Sequence, residues 1–136
     1  MNIASWVREG VAQRRAAIYL KVMAVLFLLG ALSHLASIMG LQGSWVNKPW
    51  YFRTADVVLL LASPVVAWGL WRTRFWGVVG WLAVVVFLQA VPMLLLIQLT
   101  APDPRERATW YGMLAVQVVL LGVLFALLRH KKGSPA

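Results

Sequence analysis

The chain contains no cysteine. Disulfides, thiolate metal sites, c-type haem attachment and cysteine nucleophiles are therefore excluded within it. Acidic residues are almost as scarce, since Glu9, Asp56, Asp103 and Glu106 are the whole set. They supply no paired carboxylates, and the sequence carries no glycine-rich phosphate loop and no nucleophile elbow. There are two histidines, His34 and His130. One histidine and one aspartate inside apolar sequence fall short of a three- or four-ligand zinc site. A haem held by two histidines would need His34 from two copies, because His130 lies in the polar tail. The expectation is a non-catalytic protein with no cofactor and no metal.

Charge of either sign is thin: 12% of residues are charged and 62% are hydrophobic. Ordinary globular domains hold about 25% charged residues and about 45–50% apolar ones. Four apolar windows explain the difference: 17–40, 52–71, 75–99 and 108–128. Each approaches or exceeds the roughly 20 helical residues that cross a bilayer. Barrel strands are excluded because they are about 9–11 residues long and alternate in polarity. Here the runs are continuous, as in Val57–Leu61, Val84–Leu88 and Val118–Leu121. Their valine content favours strands in water, but lipid requires every backbone donor and acceptor to be satisfied internally, which selects helices.

The expected fold is thus an all-α integral membrane protein. Its four transmembrane helices form an antiparallel bundle of two helical hairpins within one membrane domain, 1–136. The first window resembles a signal peptide in having Arg14 and Arg15 before an apolar run. It is too long for one, and no convincing small-x-small cleavage site follows it, since Ala36 has His34 two residues before it, so a retained helix is expected. Residues 1–15 place Ile3, Trp6, Val7 and Val11 at helical spacing, which suggests a short interfacial helix. Residues 129–136 read as a polar tail.

The net charge of +9 would suggest nucleic acid in a soluble protein. Its placement gives another reason. Of the 13 lysines and arginines, all but Lys48, Arg53, Arg105 and Arg107 fall on one side of the windows. That bias puts both termini in the cytoplasm. The expected location is a bacterial inner or plasma membrane, with the lipid bilayer as one partner and no nucleic acid.

Aromatic residues collect near the window ends: Trp45, Trp50, Tyr51, Trp71, Trp76 and Trp110. Amphipathic rings favour the membrane interface, so a belt is the first explanation. An aromatic cage for a ligand is the alternative. The first loop, 41–51, is expected to fold back rather than project. Asp103 and Pro104 suit a helix start, with Asp at the N-cap and Pro at the first helical position. Pro64 and Pro92 lie within windows two and three and should kink them. Small-residue pairs offer close contact faces: Ser33 with Ser37, Ala36 with Gly40, Ser63 with Ala67, and Gly122 with Ala126.

The polar residues within the windows are the candidate site. Asp56 is the only carboxylate there, about one turn below the start of the second window. His34 falls at similar depth if the first two windows form a hairpin. Ser33, Ser37, Arg53, Gln89, Gln98 and Gln117 could complete one polar pocket. An intramembrane charge costs about 2.5–3.5 kcal/mol and often marks function. Imidazole is the side chain whose charge changes most readily near neutral pH. Two readings follow. The residues are interhelical hydrogen-bond glue and an interface cap, with Asp56 paired to Arg53 three residues earlier. Alternatively, Asp56 and His34 form a binding or proton-relay site in a small oligomeric transporter or channel. The first reading leads to an accessory, assembly or scaffold subunit that packs with itself or with another membrane protein. Small multidrug-resistance transporters have a similar size but carry a glutamate in the first span, which this chain lacks.

Overall fold

The computed structural model describes residues 2–129. Five helices account for most of them: α1 (Ile3–Val11), α2 (Arg14–Ile38), α3 (Trp50–Trp71), α4 (Phe75–Thr100) and α5 (Pro104–Arg129). Among the described residues there is no strand, only an isolated bridge between Leu41 and Gly43. The last four helices are each long and apolar enough to cross a membrane. Three of them begin before the apolar window read from the sequence. Hydropathy is blind to polar first turns such as Arg14–Arg15, which the helix includes. Of the tail expected over 129–136, Arg129 is instead the last residue of α5, and 130–136 lie outside the described residues.

Helix ends follow from local chemistry. Asn2 caps α1 by accepting from Ala4 N at 3.0 Å. Asp103 Oδ1 accepts from Arg105 N and Glu106 N, both at 2.9 Å, and Pro104 occupies the first turn of α5. α2 stops at Gly40, whose φ of 80° is left-handed. There Leu41 N donates to Ala36 O and Gly40 N to Ser37 O, the paired bonds of a Schellman ending. α3 stops the same way, with Arg74 N on Gly69 O and Thr73 N on Leu70 O. In this case a threonine holds the left-handed position, at φ 50°.

Proline acts unequally. Pro64 sits inside an uninterrupted α3. Pro92 follows a π-helical segment, Val84–Ala90, in the middle of α4. Pro92 has no N–H for the carbonyl of Leu88. The helix widens one turn earlier, and Val91 N reaches back five residues to Val86 O.

The core centres on Trp81 of α4, which is fully buried. Tyr19 and Phe27 of α2 pack their rings on it, with centroids 6.3 and 6.2 Å away. The Tyr19 hydroxyl donates to Leu120 O at 2.5 Å and so links α2 to α5. α3 and α4 approach at Gly69 and Gly77. A Cβ on Gly69 would lie 2.7 Å from Gly77 Cα, and one on Gly77 would strike the backbone of Gly69 and Leu70. Only glycine permits that crossing, and the sequence reading did not single it out. α1 spends its apolar face on α2, α4 and α5: Val7 and Val11 are buried, and Gly10 abuts Leu128. The face read as interfacial is therefore largely covered by the chain itself, with Ile3 left exposed.

Candidate polar cluster

α2 and α3 make the most extensive helix contact, and the polar residues near their connection meet. His34 Nδ1 lies 2.8 Å from Asp56 Oδ1. Ser37 Oγ donates to Asp56 Oδ2 at 2.7 Å. An ionised carboxylate only accepts, so the proton between His34 and Asp56 sits on Nδ1. His34 and Ser37 are three apart and therefore share one face of α2. Asp56 comes from the second turn of α3.

The connection 39–49 completes the cluster. Gly40 and Gly43, at φ 80° and 107°, turn the chain back on itself. Trp45 Nε1 then donates to Asp56 Oδ2 at 3.1 Å. Lys48 Nζ donates to Ser37 Oγ at 2.6 Å. Ser37 thus receives from an ammonium and gives to a carboxylate, and it is buried. Asp56 is also buried, while the His34 side chain remains 29% exposed. Three donors from two chain segments, α2 and the connection, converge on one carboxylate. Hydrogen bonds to charged groups contribute about 1.5–3 kcal/mol each.

The other residues of the sequence-based set lie elsewhere. Ser33 is exposed and accepts weakly from Gln42, at 3.3 Å on its carbonyl and 3.5 Å on its hydroxyl. Gln117 faces Trp81, with Nε1 to Oε1 at 3.5 Å. Gln89 is half-buried in the π segment, Gln98 is exposed, and neither hydrogen-bonds to the cluster. Arg53 does not pair with Asp56. Its guanidinium sits over the Trp45 ring, 5.8 Å from the centroid, because the carboxylate is already occupied. Trp45 and Lys48 were missed as cluster members. The signal available was their position on a loop rich in Gly, Trp and Pro, which has no periodicity to orient a side chain.

The aromatics form two groups. Trp50 stacks edgewise on Tyr51 at 5.8 Å, and Phe52 on Trp110 at 6.4 Å. At the turn between α3 and α4, Trp71 lies under Lys21 Nζ at 5.5 Å, and Trp76 packs against Gly69. Among the described residues no group of three or more His, Asp or Glu could hold a metal ion.

The chain belongs to the family of unknown function DUF6163, whose model matches residues 14–132. The match takes in all four long helices and the whole cluster, and it leaves α1 outside. No curated protein and no solved structure matches the chain.

Proposed function

We propose that this is a multi-pass membrane protein of non-catalytic type, an accessory, assembly or scaffold subunit that packs with itself or with another membrane protein. Its four long helices cross the bilayer as an antiparallel bundle of two hairpins in a single domain, with both termini cytoplasmic. Two features support the crossing. Trp50 and Trp68 are both exposed on α3 and stand about 27 Å apart at about 1.5 Å per residue. That matches a hydrocarbon core of about 30 Å with interfacial tryptophans at its edges. Arg72 lies over Trp68 at 5.3 Å and Lys21 over Trp71, as basic anchors on the side with the larger basic excess.

The observation that carries the scaffold reading is the packing of α5. Only 11% of its apolar stretch is buried inside the chain, against 39% for α3. Its pair Gly122 and Ala126 is exposed, and nothing lies within 4 Å of a Cβ added at Gly122. In lipid, helices associate where small residues let backbones approach. The polar cluster fits the same role. Asp56 spends its lone pairs on internal donors, as a clamp does, and does not present them to an open cavity. Light scattering of the protein purified in mild detergent tests this reading. A homo-oligomer, or a stoichiometric complex with one membrane partner, is expected, and Gly122→Leu should dissociate it. A monomer alone, or an assembly indifferent to Gly122→Leu, overturns it.

The rival reading is a small oligomeric transporter or channel with a proton relay at Asp56 and His34. It draws on the 2.8 Å contact between them. It requires pH-dependent flux in liposomes that Asp56→Asn abolishes.

A further inference from the structure

The geometry points to a binding site for one anionic phospholipid on the outer surface of α3, at the end that carries the polar cluster. This inference rests on the membrane-spanning reading and adds a ligand to it. A groove of about 320 Å³ lies there, lined by Trp45, Trp50, Arg53, Thr54, Val57 and Val58. It is separate from the His34–Asp56 contact and shares only Trp45 with the cluster.

Arg53 supplies the recognition. Its Nε is buried and has no hydrogen-bond partner among the described residues. The nearest carboxylate in sequence, Asp56, is taken by His34, Ser37 and Trp45. Lys48 is drawn to the same carboxylate through Ser37. The negative charge of Asp56 is therefore matched before Arg53 is counted, and this end of α3 holds an excess positive charge. Trp45 takes one face of the guanidinium, whose carbon lies 5.8 Å from the ring centroid, so a ligand is met by the terminal nitrogens rather than by the buried Nε. A planar fork of N–H donors suits the paired oxygens of a phosphate, and such charge-assisted bonds are about twice as strong as neutral ones.

The rest of the groove explains why the phosphate belongs to a lipid. Val57 and Val58 form its apolar side, and they continue into Leu61 and Val65, which are 68% and 60% exposed. Residues 54, 57, 58, 61 and 65 follow one helical stripe. A headgroup at Arg53 thus places acyl chains along a surface already suited to hydrocarbon. Trp50, 69% exposed, flanks the groove at the depth where glycerol and headgroup meet. The volume accommodates a phosphoglycerol headgroup and the first methylenes, with the remaining chain in the bilayer.

The test uses the full chain, delipidated in a non-ionic detergent and titrated with brominated phosphatidylglycerol or brominated phosphatidylcholine. Quenching of tryptophan fluorescence reports contact. Phosphatidylglycerol should saturate at about tenfold lower concentration, the equivalent of one charge-assisted contact. Arg53→Gln should erase the preference, Arg53→Lys should keep part of it, and Arg72→Gln at the far end of α3 should leave it intact. Inorganic phosphate should not displace the lipid. Equal affinity for the two lipids, a preference that survives Arg53→Gln, or full displacement by inorganic phosphate overturns the proposal. A thermal midpoint for Arg53→Lys equal to that of the parent chain keeps the comparison valid if Arg53→Gln is unstable. Failure of the spanning reading shows separately, as protein that stays dissolved once detergent is withdrawn.

Discussion

At Asp56, the geometry makes a quantitative demand. Two donors share Oδ2 and one faces Oδ1, so an amide in place of the carboxylate keeps the first two only by turning its NH2 toward His34, whose ring must then change tautomer to accept. Interhelical hydrogen bonds in membranes average only about 0.6 kcal/mol. Removing a partly buried charge costs more, because Lys48, which reaches Asp56 through Ser37, keeps its own. Asp56→Asn should therefore lower stability by about 1–3 kcal/mol, read as a fall in thermal midpoint in detergent. An unchanged midpoint would show that the clamp contributes nothing. Counting helical rise placed His34 and Asp56 at one depth, and they stand 2.8 Å apart. The same counting cannot order side chains around the helix axis, so it does not separate from them Gln89, Gln98 and Gln117, none of which hydrogen-bonds to the cluster. Nor could it reach Trp45 and Lys48, whose direction depends on two left-handed glycines.

Elements were more legible than contacts. Long charge-poor runs specify helices through backbone satisfaction alone, and Asp103–Pro104 specifies where α5 starts. Pro92 announces a disturbance in α4, but its form, a π turn placed before the proline, depends on neighbours that no local pattern encodes. Close crossings were the least legible. Ser63 and Ala67 are buried as a contact face would be, whereas Gly122 and Ala126 are exposed. The tightest approach, Gly69 on Gly77, lacks the three-residue spacing used to find such faces, since its two members belong to different helices. This gives a paired expectation. Gly77→Ala drives a Cβ into the α3 backbone and should cost about 1–3 kcal/mol, as overpacking does. Gly122→Ala meets open space within the single chain and, from helix propensity alone, should be neutral or stabilising by up to about 1 kcal/mol for the dissociated chain. Thermal midpoints of the two variants, measured side by side, check it.

For the whole molecule, one asymmetry organises the rest. α2 and α3 are joined by extensive packing and the polar clamp, while α5 is held chiefly by Tyr19 on Leu120 and by contacts of α1, α2 and α4. A helix so thinly covered is where a lipid or a protein neighbour would complete the structure. That inference needs the bilayer to be the solvent and the connection 39–49 to lie across it from the turn 72–74. The absence of native cysteine makes the arrangement directly measurable. Asn47→Cys, Arg74→Cys and Glu106→Cys, each introduced alone, are challenged in intact cells with a maleimide that cannot cross membranes. The account predicts labelling of Asn47→Cys and Glu106→Cys from outside, and of Arg74→Cys only after permeabilisation. Labelling of all three from one side, or of Arg74→Cys alone in intact cells, would contradict it.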